Sequence, residues 1–253
     1  MLIKFITLNL FVGGRLFNNV KEFLQEEKPD IIAFQEIFNG NDAGYPENMR
    51  SIQVLKKVLP GYDYAFSPFL LAHLDIGNIE SGNAVFSRYP ILDSKTIFFD
   101  VPYNPDYRVE DFKGDYSLAT KAVQSAQINL GSSVLNILNN HGIWGFNGFD
   151  NPRRLKMSEI IVEQIKNKDK IILAGDFNLN YHTQTVANIE KYLESVFKDE
   201  LKTTFNMKHK TDPGYAKAAV DMVFVSKNIK VLKKYCPQVD VSDHLPLVVI
   251  LDI

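Results

Sequence analysis

The run Ile171-Ile172-Leu173-Ala174-Gly175-Asp176-Phe177-Asn178 decides how the rest of the chain reads. Four apolar residues make a short buried strand. The strand then ends on a carboxylate and a carboxamide two positions apart. In an extended segment those two side chains point the same way, while Phe177 points into the core. The same device recurs along the chain. Ile3 to Leu8 ends on Asn9, Ile31 to Phe34 ends on Gln35-Glu36, and Val134 to Leu138 ends on Asn139-Asn140-His141. Ser242-Asp243-His244 stands before the strand Leu247 to Leu251. A polar residue at a strand end ordinarily meets solvent or caps a turn. Five such places, all carboxylate, carboxamide or imidazole, ask for one joint explanation.

Working outward, strand-like runs also fall at Tyr62 to Phe66, Asn83 to Phe86, Thr96 to Phe99, Ala119 to Ile128, Val220 to Val225 and Ile229 to Tyr235. Helices are expected over Asn18 to Glu27, with Val20, Phe23 and Leu24 at helical spacing, and over Asn48 to Leu59, stopped by Pro60-Gly61. A third opens at Asn151-Pro152, with Asn as the cap and Pro at the first helical position. Its apolar face is Met157, Ile160, Ile161 and Ile165. Asp100 to Ser117, rich in Pro, Tyr and charge, reads as a loop insertion. Strands outnumber helices and often follow one another directly, which excludes a regular βαβ alternation. Two sheets packed face to face with a few outer helices fit better.

Composition narrows the function. The chain has 253 residues, 45% of them hydrophobic, with a formal net charge of −2 and a pI near 6.2. That is enough chain for a large core. It lacks the strongly basic balance that points to nucleic acid on its own. The single cysteine, Cys236, excludes an internal disulfide framework. The start of the chain lacks a basic, long-apolar leader pattern, and no apolar run approaches the roughly 20 residues of a membrane span. A cytoplasmic protein without a transmembrane segment is the expectation.

Phosphate-ester hydrolysis asks for this kind of residue set. A hard cation such as Mg²⁺ takes oxygen ligands, often one or two carboxylates plus waters. The attacking water needs a base, for which His or Asp serves. Developing negative charge needs donors such as Asn and protonated His.

Taken in order, Thr7-Leu8-Asn9, Gln35-Glu36, Asn140-His141, Gly175-Asp176-Phe177-Asn178 and Ser242-Asp243-His244 resemble the motif series of the endonuclease/exonuclease/phosphatase superfamily. Val220-Asp221-Met222-Val223-Phe224 resembles its penultimate strand, and Gly82 to Pro90 its central strand. The resemblance runs over nearly the whole chain. It implies one domain, residues 1–253, folded as a four-layer α/β sandwich of two mostly antiparallel mixed sheets with helices outside and the active site at one edge. It further implies Glu36 as the principal metal ligand, with Asp243 and Asn9 holding the metal or its waters. His244 contacts the phosphate or acts as base, oriented by Asp221. Asp176 positions or deprotonates the nucleophile, Asn178 binds the same oxygens, and His141 donates to the phosphate or leaving group. Whether Asp176 or His244 takes the proton stays open at this point. The implied cofactor is Mg²⁺, or alternatively Mn²⁺.

Asn140-His141 is unlike the apurinic-endonuclease branch, whose pattern here resembles Tyr-x-Pro-Asn. Ala219-Val220-Asp221 also departs from that branch's Arg-Ile-Asp, and the Trp-Cys-Asp-Arg pattern of inositol phosphatases is absent. Between Lys198 and Lys234 nine lysines stand against four acids. A basic face of that kind near the site suits a polyanion. The expected function is therefore a Mg²⁺-dependent phosphodiesterase with nucleic acid as favoured substrate. A phospholipid or small phosphoester is the alternative within enzymes, and a non-catalytic phosphate-binding protein the alternative outside them. Just past His141, Ile143-Trp144-Gly145-Phe146-Asn147-Gly148-Phe149 carries three aromatics, and Arg153-Arg154 follow. Trp144 and Arg153 are the candidate substrate contacts, by base stacking and phosphate binding respectively.

Overall fold

A computed structural model describes residues 1–253. In chain order the strands are β1 (Leu2–Asn9), β2 (Ile31–Phe38), β3 (Asp63–Leu74), β4 (Gly77–Ser87), β5 (Ile91–Phe98), β6 (Asn104–Tyr107), β7 (Ala122–Asn129), β8 (Val134–His141), β9 (Ile171–Asp176), β10 (Glu194–Ser195), β11 (Asp221–Val225), β12 (Lys230–Tyr235) and β13 (Leu247–Asp252). The helices are α1 (Phe11–Gly14), α2 (Phe17–Glu27), α3 (Ser51–Val58), α4 (Pro152–Ile165) and α5 (Gln184–Glu190). One sheet has the order β12-β13-β1-β2-β4-β3-β6 and the other β10-β11-β9-β8-β7-β5. Pairing is antiparallel except at β1–β2, β3–β6 and β8–β9. No helix is long and apolar enough to cross a membrane.

Period-two alternation builds the layers. On β1, Ile3 and Phe5 face the second sheet and pack with Ala126, Ile137, Ile172, Ala174 and Val223. Ile6 and Leu8 face outward and are covered by Phe17, Val20, Phe23, Leu24, Ile52 and Leu55 of α2 and α3. On the other side Leu138, Leu173 and Phe224 are covered by Met157, Ile161 and Ile165 of α4 and by Val186 and Ile189 of α5. The result is α/β/β/α. Asn151 caps α4 by accepting from the Arg154 backbone N–H at 2.9 Å, with Pro152 at the first turn.

The structure differs from expectation in several places, among them the short α1 and β10. Residues 100–117 are not all loop: Asn104–Tyr107 adds a parallel edge strand to β3. The expected short strands at residues 62–66 and 83–86 are the inner halves of a long hairpin running out to Leu74 and Gly77. Helix α5 was not expected. Thr183 caps it, its side chain accepting from the Val186 N–H.

Candidate active site

The topology brings the strand ends together. His141 ends β8, Asp176 ends the parallel β9, and Asp221 begins the antiparallel β11. His141, Asp176 and Asp221 therefore share one rung of the sheet, His141 against Asp176 and Asp176 against Asp221. In the facing sheet Asn9 ends β1 beside Gln35 of the parallel β2, and Asp243 and His244 immediately precede the antiparallel β13.

Local backbone features aim these groups. The β2–β4 register shifts between Phe34 and Ile37, and inside that bulge Glu36 has φ +57°. Bulges re-aim side chains, and a non-glycine residue in the left-handed region is a cost that functional sites often carry. Glu36 Oε2 accepts from the Val12 backbone N–H at 2.7 Å, and Oε1 from Asn9 Nδ2 at 3.1 Å. Asn178 also has positive φ, +55°, and donates its amide to the Gly142 carbonyl at 3.0 Å. Gly175, at φ +136°, lets β9 approach β8 so closely that a Cβ there would lie 2.0 Å from the Asn140 carbonyl oxygen.

Behind the site a buried amide network joins the sheets. Gln35 donates to Asn139 Oδ1 at 2.6 Å. Asn139 in turn donates to the carbonyls of Phe34 and Ala84 and to Gln124 Oε1. This network fixes the spacing between Glu36 on one sheet and His141 on the other.

The electrostatics separate the two histidines. His244 Nδ1 lies 2.8 Å from Asp221 Oδ2, and Phe205 packs against the ring at 4.7 Å. Burial alone would lower the His244 pKa, but Asp221, Asp176 and Asp243 push it up to about 10. His141 moves the opposite way: burial, Lys121 and His244 hold it well below its usual value. Asp176 accepts the Asn178 N–H at 2.7 Å and lies 3.8 Å from His141 Nε2. Burial raises it to about 6 against the lowering charges of His244 and Lys121.

The carboxylates suit a hard cation. Glu36 is half-exposed with both oxygens only singly hydrogen-bonded, and Asp243 presents a second carboxylate. No three or more His, Cys, Asp or Glu side chains converge as a cage. Carboxylate oxygens are the donors a hard divalent cation takes. Asn9 turns its amide nitrogen to Glu36 and Asp176, while its oxygen accepts the Phe11 N–H at 3.1 Å. Asn9 thus braces the carboxylates in this arrangement. Asp243 Oδ2 pairs with Lys210 Nζ at 2.7 Å.

The expected substrate contacts are placed differently from one another. Trp144 is half-buried, edge-on to Tyr116 at 5.8 Å and to Phe146 at 4.8 Å. Tyr107, Phe112 and Tyr116 extend this row as stacked rings. The open faces belong instead to Phe146, 78% exposed, and Phe149, 66% exposed. Arg153 is engaged by Asp100 and the Ser117 carbonyl. Arg154 does not face a phosphate. It is fully buried and donates to the carbonyls of Ile143, Asn147, Phe149 and Asn178, so it holds the loop. The lysines of residues 198–234 form no single face. Lys210 stands at the site, Lys234 pairs with Glu200, and Lys230 registers with Asp252 at the far end of the sheet. Lys121, which no motif singled out, lies against His141.

A two-sheet sandwich with carboxylates, amides and a carboxylate-held histidine gathered at one edge defines the phosphoesterase type of α/β protein. The chain belongs to the endonuclease/exonuclease/phosphatase family, whose model matches residues 6–244. Members of that family hydrolyse phosphate esters and generally use divalent metals. The chain is 26% identical, over an alignment of 289 residues, to the uncharacterized protein L388 of Acanthamoeba polyphaga mimivirus, covering 98% of this chain and 100% of that one. Among solved structures it resembles an endonuclease/exonuclease/phosphatase from Bacteroides vulgatus, with TM-score 0.74 and 16% identity, covering 100% and 99% of the two chains. The human Nocturnin catalytic domain matches with TM-score 0.69 and 17% identity, covering 99% and 94%.

Proposed function

We propose that this chain is a Mg²⁺-dependent phosphoesterase that hydrolyses its substrate by in-line attack of water. The observation that supports this most is the assembly of Asn9, Glu36, His141, Asp176, Asp221, Asp243 and His244 at one edge from distant parts of the chain. The chain works as one unit, residues 1–253, because its two ends both contribute. Glu36 would hold the metal, with Asp243 as the second carboxylate and Asn9 bracing Glu36. When bound, the metal supplies Lewis-acid polarisation of the phosphoryl oxygen. Asp176 takes the proton of the attacking water. Its pKa of about 6 suits a base working near neutrality, whereas His244 at about 10 is a standing cation. His244 donates to the phosphate through Nε2 while Asp221 accepts from Nδ1 and holds the imidazolium in place. Asn178 ties the end of β9 to Gly142, just past the end of β8.

Asn140-His141 supports the family branch that carries this pair over the apurinic-endonuclease branch. Nucleic acid is the favoured substrate, and specifically a short or single-stranded end. The exposed rings of Phe146 and Phe149 offer stacking surfaces. Residues 100–117 carry five acids against two basic residues, which disfavours the long phosphate track of a duplex.

The test is a hydrolysis panel of single- and double-stranded DNA, RNA, sphingomyelin and inositol phosphates, with Mg²⁺ and with excess chelator. Turnover should require the metal, and Glu36→Gln should lower it by several orders of magnitude with the fold intact. Full turnover in chelator would refute the metal role. Hydrolysis confined to sphingomyelin or inositol phosphates would refute the nucleic acid reading.

A further inference from the structure

Lys121 directly precedes β7, whose Ala122 registers with His141. It therefore stands one residue beyond the rung that carries His141, Asp176 and Asp221, at the same edge of the sandwich. Its Nζ lies 2.5 Å from His141 Nε2, and this is the ammonium's one protein partner. An ammonium has three donors and no acceptor. Nε2 must therefore accept, which leaves the ring hydrogen on Nδ1. His141 is 3% exposed, and its Nδ1 is buried without a hydrogen-bond partner. In this tautomer His141 has no proton on the nitrogen that faces the site.

Two donors of Lys121 remain open. They sit in a site where the ammonium loses solvation, which lowers its pKa, and where the charges of Glu36 and Asp176 act in the opposite direction and partly counter that lowering. A half-buried cation with two donors open at the edge that carries Asp176 is placed to meet an anionic oxygen. We propose that Lys121, and not His141, is the cation that contacts the substrate phosphate on this side of the site, with His141 as the acceptor that aims it. This rests on the phosphoesterase reading above. Charge at the phosphate is then shared between Lys121 and His244, with His141 neutral between them. The same arrangement explains why a neutral histidine is tolerated there at all: a second imidazolium would face an ammonium at hydrogen-bonding distance.

The experiment uses the full chain with Mg²⁺, bis(4-nitrophenyl) phosphate as the activity probe and inorganic phosphate as the binding probe. Lys121→Met should weaken phosphate binding at least tenfold and lower kcat/KM at least a hundredfold, and Lys121→Arg should restore part of both. His141→Gln keeps an acceptor near Nε2 but can donate no ring proton. It should retain at least tenfold more activity than His141→Ala. If His141→Gln is as inactive as His141→Ala, or if Lys121→Met binds phosphate as tightly as the unmodified protein, the assignment is overturned. Thermal melts identify a variant that has not folded, and Lys121→Gln then replaces Lys121→Met. A native protein that binds phosphate but hydrolyses no ester would refute the phosphoesterase reading. The phosphate-binding comparison would still decide the role of Lys121.

Discussion

Asp176 and Glu36 show opposite ways in which a single residue opposes its surroundings. The Asp176 carboxyl is raised to about 6 from a usual 3.8, so between those values the folded chain holds its proton more tightly than the unfolded chain does. Its contribution to stability is therefore complete in acid and is lost as pH rises through about 6. Asp176→Asn should remove that decline, so that in chelator the variant melts higher than the native protein above pH 6 while turnover collapses. Melting curves from pH 4 to 8 check this. A second consequence is that kcat/KM should fall on the acid side of about pH 6, where the base is protonated. Glu36 opposes its backbone instead, at φ +57°. Ala ordinarily outranks Gly in a strand by about 0.5–1 kcal/mol. Here the order should invert, with Glu36→Gly more stable than Glu36→Ala by about 1 kcal/mol in urea denaturation. Both side chains were legible in the sequence because each ends or interrupts an apolar strand. Lys121 was not: within the strand read over Ala119 to Ile128 it is an ordinary lysine until β7 is paired against β8.

At the level of elements, β8 and β9 are spaced by Gly175. A methyl group there would meet the Asn140 carbonyl oxygen at 2.0 Å in a conformation, φ +136°, that side chains rarely adopt. Gly175→Ala should therefore cost at least about 2 kcal/mol in urea unfolding. It should also reduce activity beyond what the lost stability explains, because His141 and Asp176 sit on the two strands being separated. The strands around this pair were readable from their apolar runs. The edge strand Asn104–Tyr107 was not, since Asn-Pro-Asp-Tyr has no alternating pattern and is held by its neighbour alone. The outer half of the β3–β4 hairpin was also obscured. Pro68 sits at a register shift in β3 and breaks the local pattern of a continuous strand. Helix α5 is seven residues long, too short for helical periodicity to stand out.

On the scale of the whole molecule, the sequence told more about the chemistry than about the substrate. Motif order carries the chemistry, whereas the substrate depends on which surfaces end up beside the site. The lysine run scatters once folded, and the aromatic row forms from two segments, residues 107–116 and 144–146, that the sequence keeps apart. Phe146→Ala should change stability by no more than about 0.5 kcal/mol. It should weaken binding of a single-stranded oligonucleotide by about 1–3 kcal/mol if the ring stacks on a base. Trp144→Ala should destabilise the protein more, because that ring is packed between Tyr116 and Phe146. Equal affinity of native and Phe146→Ala protein for the oligonucleotide would exclude the stacking role. The site also spans the chain: Ser242 Oγ donates to the Asn9 carbonyl at 2.6 Å, across 233 residues of sequence. During synthesis β1 has β2 on one side but waits for its other neighbour, β13, until residues 247–252 have been made. A nascent chain therefore carries Asn9, Glu36, His141 and Asp176 before the histidine that answers them, and the site is whole only once residue 244 has been made and folded in.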